Sequence, residues 1–241
     1  VAWSPDGHHI LTGSGDGTVR IWDATTGDNT LTLTHTDWVT AVAWSPDGHH
    51  ILTASRDRTA RIWDATTGDN TLTLTHTDWV TAVAWSPDGH HILTGSRDRT
   101  ARIWDATTGD NTLTLTHTDW VTAVAWSPDG HHILTASKDR TASIWDATTG
   151  DNTLTLTRIG WVRAVAWSPD GRHILTGSAD GTVRIWDATT GDNTLTLTHA
   201  NWVTAVAWSP DGRHILTAYK DGTTRIWDAT TGDNTLTLIH T

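Results

Sequence analysis

The chain has 241 residues and a formal charge of −11, because 27 Asp residues outnumber 16 Lys and Arg residues. This balance argues against general nucleic-acid binding, which depends on clustered cations that neutralise phosphates. Cys is absent, which excludes disulfides, zinc knuckles and thiol catalysis. Met, Phe, Glu and Gln are also absent while Thr and Trp are abundant, so the composition disfavours helices and favours strands.

One unit of 41 residues accounts for the whole chain. The segment D-G-T-V-R-I-W-D begins at Asp16, and related segments begin at Asp57, Asp98, Asp139, Asp180 and Asp221. Repeats of roughly 20 to 50 residues are typical of architectures in which no single unit buries its own apolar face. We therefore predict a single domain of six units, which span residues 1–41, 42–82, 83–123, 124–164, 165–205 and 206–241.

The second unit shows the four strands that each repeat predicts. Residues 38–44 are mostly apolar and predict a buried strand a, and an S-P-D-G turn then leads into strand b at 50–55. Strand c covers 59–64, and strand d covers 71–75 after an A-T-T-G-D-N loop. A four-stranded antiparallel sheet of this kind has two apolar faces. It needs a neighbour on each side, and radial repetition supplies both neighbours.

The sequence resembles the WD-repeat β-propeller family over all six units. The resemblance is carried by the V-A-W-S-P-D-G turn, the S-x-D-x-T turn and the I-W-D ending of strand c. It implies an all-β propeller of six four-stranded antiparallel blades, either as a closed six-blade ring or as part of a larger ring. The near-identical units are also similar to recently amplified bacterial WD-repeat arrays, or to an engineered derivative of one.

The resemblance also implies a hydrogen-bonded set of His, Thr, Asp and Trp in each blade. A buried indole N–H needs an acceptor and a buried Asp needs donors, so such a set satisfies groups that are expensive to bury alone. The matching residues are His35, Thr53, Asp57 and Trp63; His76, Thr94, Asp98 and Trp104; His117, Thr135, Asp139 and Trp145; Thr176, Asp180 and Trp186; His199, Thr217, Asp221 and Trp227; and Thr12, Asp16 and Trp22. The fifth set has Arg158 where His is expected, and in a closed six-blade ring His240 would complete the first set.

Differences between the units fall almost entirely in the b–c turns and the d–a connections. Alternate turns of an up-and-down sheet emerge at the same end, so these two connections share one face, which we expect to be locally basic. Arg and aromatic residues are common interface anchors. The candidate partner-binding residues are Arg56, Arg58, Arg97, Arg99, Lys138, Arg140, Arg158, Ile159, Arg163, Tyr219 and Lys220. The simpler alternative is that these cations only balance the neighbouring Asp residues.

We expect a non-catalytic scaffold that presents this face to a protein or peptide partner, acidic or phosphorylated. By resemblance, it would be the sensor part of a larger bacterial signalling protein. The alternative is a designed or excised repeat array with a structural or self-assembly role and no natural ligand. A third class, a lectin for carbohydrates or small molecules, would need matched pockets between blades. A ring that one chain does not close would leave an apolar blade face unpaired and could form a homo-oligomer.

Catalysis and metal binding have little support in the sequence. Ser, His and Asp recur in every unit, as structural residues do, whereas an active site needs one unique constellation. Adjacent residues such as His49 and His50 point to opposite faces of a strand, so one pair cannot readily chelate one ion. We therefore expect no enzyme activity, no cofactor and no metal. No apolar run approaches the roughly 20 residues that span a bilayer, so we expect a cytoplasmic protein without a membrane partner.

Overall fold

The computed structural model describes residues 1–157 and 160–239, and its regular elements are all β-strands. The strands form six four-stranded antiparallel sheets, each in the order a, b, c, d along the chain. We number the sheets 1 to 6 in chain order. This confirms the all-β class and the four-stranded unit. The strands are β1 (Ala2–Trp3), β2 (His9–Gly13), β3 (Thr18–Asp23), β4 (Asn29–Thr34), β5 (Val39–Trp44), β6 (His50–Ser55), β7 (Thr59–Asp64), β8 (Asn70–Thr75), β9 (Val80–Trp85), β10 (His91–Ser96), β11 (Thr100–Asp105), β12 (Asn111–Thr116), β13 (Val121–Trp126), β14 (His132–Ser137), β15 (Ala142–Asp146), β16 (Asn152–Leu156), β17 (Val162–Trp167), β18 (His173–Ser178), β19 (Thr182–Asp187), β20 (Asn193–Thr198), β21 (Val203–Trp208), β22 (His214–Tyr219), β23 (Thr223–Asp228) and β24 (Asn234–Ile239).

Sheet 2 shows how local chemistry sets the strand bounds. Its strands b and c have the predicted limits, whereas strand d begins one residue early at Asn70. The register shifts between Ile62 and Trp63, so that Trp63 lies opposite Asn70. The Asn70 amide Nδ2 donates to the carbonyls of Ile62 and Leu72, at 3.1 and 3.0 Å, and so extends the strand by one residue. Strand a begins at Val39, which leaves Trp38 in the d–a connection.

The chain divides into two compact units, Val1–Val124 and Ala125–Thr241. In the first, strands b, c and d of one sheet supply an apolar face that packs on the next sheet's Ile of strand b and Trp of strand c. The second unit packs sheet 5 on sheet 6 through the equivalent positions. The core between sheets 1 and 2 contains Leu11, Val19, Ile21, Leu33, Ile51 and Trp63, and that between sheets 5 and 6 contains Leu175, Val183, Ile185, Leu197, Val203, Ile215 and Trp227.

In sheet 6, the apolar face of strands b, c and d that packs on the next sheet elsewhere in the chain is exposed. Leu216 is 42% exposed, whereas Leu175, its counterpart in sheet 5, is fully buried. Leu236 and Leu238 of strand d are about half exposed. Sheet 6 also carries Thr224 where the other sheets have Ala or Val. No helix in the described ranges is long and apolar enough to cross a membrane.

Candidate interaction surface

The second His–Thr–Asp–Trp set forms a continuous chain of hydrogen bonds inside the first unit. The Trp63 indole N–H donates to Thr53 Oγ1 at 2.8 Å, and Thr53 Oγ1 lies 2.7 Å from His35 Nε2. His35 Nδ1 lies 2.8 Å from Asp57 Oδ2. The third set has the same chain at 2.9, 2.7 and 2.8 Å, with His76 in the place of His35.

The protonation of this network follows from its burial. Burial lowers the pKa of His35, although the hydrogen bond to Asp57 acts in the opposite direction, so the imidazole is neutral at pH 7. A proton on Nδ1 then donates to Asp57, and Nε2 accepts the Thr53 hydroxyl. Burial alone would raise the pKa of Asp57, but hydrogen bonds from Thr59 and His35 lower it to about 2. Each donor of the chain thus has an acceptor, as expected for a structural network.

The remaining sets keep the Trp–Thr bond. In sheets 1, 4, 5 and 6 the indole donates to the Thr hydroxyl at 2.8 to 2.9 Å, in the pairs Trp22–Thr12, Trp145–Thr135, Trp186–Thr176 and Trp227–Thr217. His240 and Arg158, which the sequence assigns to the first and fifth sets, lie outside the described residues. In the fifth set Asp180 accepts the backbone N–H of Gly160 at 3.2 Å.

The sixth set differs from the expected one because of Tyr219. The Tyr219 ring stacks on His199 with ring centroids 3.8 Å apart, and its oxygen accepts the Thr217 hydroxyl at 3.0 Å. His199 Nε2 is therefore 3.7 Å from Asp221 Oδ2 and forms no bond to Thr217 in this structure. Tyr219 is only 4% exposed, which corrects its prediction as a surface contact. The sequence signal was present, since the other five repeats have Ser at this position.

The cations that precede the Asp of each b–c turn stack on tryptophans of the d–a connections. The Arg56 guanidinium carbon lies 3.8 Å from the ring centroid of Trp38 and 4.3 Å from that of Trp79. Arg97 lies 3.8 Å from Trp79 and 3.9 Å from Trp120. The first unit therefore carries a continuous stack in which indoles and guanidinium groups alternate. We call this the Trp–cation stack. Each such contact contributes on the order of 0.5–2 kcal/mol.

The stack is partial elsewhere in the chain. Lys138 Nζ lies 4.4 Å from the Trp161 ring centroid, and Lys220 Nζ lies 4.4 Å from that of Trp202. The equivalent position is Gly15 in sheet 1 and Ala179 in sheet 5, which carry no cation. The indoles beside these small residues are the most exposed of the d–a connections: Trp38 at 50%, Trp161 at 42% and Trp202 at 41%. The sequence predicted Arg56 and Arg97 as partner-binding residues and did not predict their stacking, although the Trp of every d–a connection was visible.

The cations that follow the Asp have a different backbone. Arg58, Arg99 and Arg140 have φ angles of 70°, 71° and 71°, in the left-handed region that residues with a side chain rarely adopt. Their side chains are exposed. In the other three repeats this position is Gly17, Gly181 or Gly222, with φ between 82° and 84°. The turn thus requires a left-handed residue, and three repeats place an arginine there.

The WD40 family model, described as WD domain, G-beta repeat, matches residues 1–23, 27–64, 68–105, 109–146, 150–187 and 191–228. The chain belongs to the WD40 family. WD40 repeats mediate protein–protein interaction and generally act as non-catalytic scaffolds. A search of curated proteins found no match to the chain.

The opposite end of the WD40 sheets carries cavities between neighbours. Sheets 2 and 3 enclose about 700 Å³, sheets 1 and 2 about 490 Å³, and sheets 5 and 6 about 290 Å³. Each is lined by a strand-b His, a strand-a Trp and the Asp of two S-P-D-G turns, such as His50, Trp85, Asp47 and Asp88. Most of their lining residues recur in every repeat, but His49 and His90 are replaced by Arg172 and Arg213 in the fifth and sixth repeats. Among the described residues, no three His or Asp side chains converge to hold a metal ion.

Proposed function

We propose that this WD40 array is a scaffold that binds an acidic segment of a partner protein. The guanidinium groups of Arg58 and Arg99, with Arg140 in the equivalent turn of sheet 4, are the contact groups. The observation that carries the proposal is the left-handed backbone of these three residues. A side chain in this region costs on the order of 1 kcal/mol, and backbone strain of this kind concentrates at functional sites.

The simpler reading, in which these arginines only balance nearby Asp residues, is not favoured by the contacts. Asp57 pairs instead with the strand-c Arg61 at 3.5 Å and with His35. Asp98 pairs with Arg102 at 3.5 Å in the same way. Within the described residues Arg58, Arg99 and Arg140 form no ion pair or side-chain hydrogen bond, so their planar forks are available to carboxylates.

The Trp–cation stack lies next to these arginines in the sequence. Arg56 and Arg97 are two residues before Arg58 and Arg99, and their own side chains are held between indoles. Side chains that are already packed lose little entropy when a partner binds, and exposed Trp and Arg are typical of binding hot spots. The face therefore combines a rigid aromatic base with free cations.

The test compares two charge reversals of equal size. Arg58→Glu with Arg99→Glu changes the proposed contacts. Arg172→Glu with Arg213→Glu changes two exposed arginines of S-P-D-G turns at the opposite end of the sheets, and alters the net charge equally. Binding of a fluorescein-labelled oligoglutamate peptide is followed by fluorescence anisotropy at low and physiological salt.

We expect the first pair to weaken binding by at least about tenfold, because two attractive contacts become repulsive, and the second pair to change it by less than about threefold. Equal losses for the two pairs would show that only net charge matters and would refute the assignment. A peptide with phosphoserine in place of glutamate distinguishes a preference for phosphate from one for carboxylate. Tighter binding of the glutamate peptide supports the acidic partner proposed here.

A further inference from the structure

The Trp–cation stack is interrupted at Ala179. In sheets 2 and 3 the residue before the turn Asp sends its guanidinium between two consecutive d–a indoles. In sheet 5 the same position is Ala179, and the consecutive indoles are Trp161 and Trp202. A methyl group cannot fill the space that a guanidinium fills elsewhere, so each indole keeps one ring face without a cation from this turn.

The hydrogen bond that joins the b–c turn to the first indole residue is the same at Ala179 as in sheets 2 and 3. The Ala179 N–H donates to the carbonyl of Trp161 at 2.9 Å, just as Arg56 donates to Trp38 and Arg97 to Trp79 at 2.9 Å. The fifth repeat therefore keeps this link between the turn and Trp161 although it has no cation at position 179. The two indoles are 42% and 41% exposed, compared with intermediate exposure for Trp79, which has guanidinium groups on both faces.

The outer boundaries of this gap are set by lysines. Lys138 lies 4.4 Å from the Trp161 centroid, and Lys220 lies 4.4 Å from the Trp202 centroid. Arg163, which is unique to the fifth repeat, holds its guanidinium 5.8 Å from the Trp202 centroid. That distance exceeds the 3.8 to 4.3 Å of the stacked arginines, so Arg163 does not make the close ring contact that Arg56 and Arg97 make.

We propose that Trp161 and Trp202 form a slot that binds the guanidinium of an arginine side chain from a partner protein. A planar guanidinium fits between two indoles in this chain twice already, at Arg56 and Arg97. The ring faces attract cations through their quadrupoles, and Arg stacks more effectively than Lys because its charged group is planar. Asp180, next to Ala179 in the sequence, is partly exposed and pairs with Arg184 at 3.6 Å. The inference does not depend on the arginine face proposed above, which takes a ligand of opposite charge.

The experiment uses N-acetylarginine amide as the probe and N-acetylcitrulline amide as its neutral isostere. Indole N–H signals are observed in ¹H–¹⁵N spectra of the full chain, and Trp161→Phe and Trp202→Phe variants assign the two signals. We expect the arginine probe to shift these two signals with a dissociation constant on the order of millimolar. The citrulline probe should bind at least about tenfold more weakly, because it keeps the shape and lacks the charge.

Three substitutions taken from the chain's own repeats give the decisive comparison. Ala179→Arg supplies the missing cation and should abolish the response of Trp161 and Trp202, and Ala179→Lys copies sheets 4 and 6 and serves if the arginine variant does not fold. Arg97→Ala opens an equivalent gap in sheet 3 and should create a new response at the Trp79 and Trp120 signals. Equal binding of the two probes, or an undiminished response in a folded Ala179 variant, would overturn the proposal. So would the absence of any saturable shift in the unmodified chain.

Discussion

Replacing Arg58, Arg99 and Arg140 together by Gly should stabilise the fold. Each arginine has φ near 70°, where a residue with a Cβ is strained by about 1–2 kcal/mol. Gly relieves that strain but loses about 0.5–1 kcal/mol more conformational entropy on folding. The net gain is about 0.5–1 kcal/mol per site. Because the three turns are in different sheets, the effects should add to about 1.5–3 kcal/mol. For a chain of this size that corresponds to a rise in Tm of roughly 3–12 °C.

Urea unfolding followed by Trp fluorescence measures this change, with circular dichroism giving the Tm. The m-value should stay constant, since no buried surface changes. The reverse substitution, Gly17→Arg, is the matched control. Gly17 has φ 84°, and a Cβ there would lie 2.8 Å from the carbonyl oxygen of His35, so this variant should lose stability. A triple glycine variant less stable than the parent chain would refute the reasoning, because it would show that the arginine side chains stabilise the free protein.

Other substitutions and pH changes test the core and the buried network. In urea unfolding, Leu175→Ala should cost about 2–5 kcal/mol of stability and Leu216→Ala less than about 1 kcal/mol, because only the Leu175 side chain is buried. Equal costs would show that the exposed face of sheet 6 is covered by a second copy of the chain in solution. Light scattering would then measure that self-association. Thr53→Val leaves the indole of Trp63 without its acceptor and should cost about 1–3 kcal/mol by the same assay. The pKa of His35 is lowered from 6.5 in the folded chain, so the unfolded chain binds that proton at a higher pH and stability should fall as the pH drops below 6.5. Asp57 has a folded pKa of about 2, so a second loss of stability is expected below pH 3.8. The urea midpoint of unfolding, measured over a series of acidic pH values, tests both losses.

The sequence predicted the repeated unit well because the unit depends on local chemistry. Strands b and c of sheet 2 have the predicted limits, since turn residues bracket them on both sides. Strand d starts at Asn70 because its side-chain amide donates to two backbone carbonyls across a register shift. The alternation of polar and apolar residues in the sequence does not reveal such a shift. The replacement of Ser by Tyr219 was equally visible in the sequence. The displacement of His199 could not be predicted, because it depends on the three-dimensional position of the Tyr219 oxygen, which takes the Thr217 hydrogen bond that His would otherwise form.

The candidate surface was harder to predict, because its two variable positions look alike in sequence and differ in structure. The residues before and after the turn Asp are both cations in sheets 2 and 3. Arg56 points along the array and packs between indoles of consecutive repeats, whereas Arg58 has a left-handed backbone and an exposed side chain. A small residue at the first position opens the stack, as Ala179 does. A glycine at the second position removes a free cation and relieves strain, as Gly181 does.

Sheet 5 therefore differs from sheets 2 and 3 at both positions, and the two differences favour ligands of different charge. It lacks the exposed arginine that would contact an acidic segment, and it exposes the two indoles that would accept a cation. On the two proposals above, the residues on either side of one Asp would set the charge of the ligand that a turn selects.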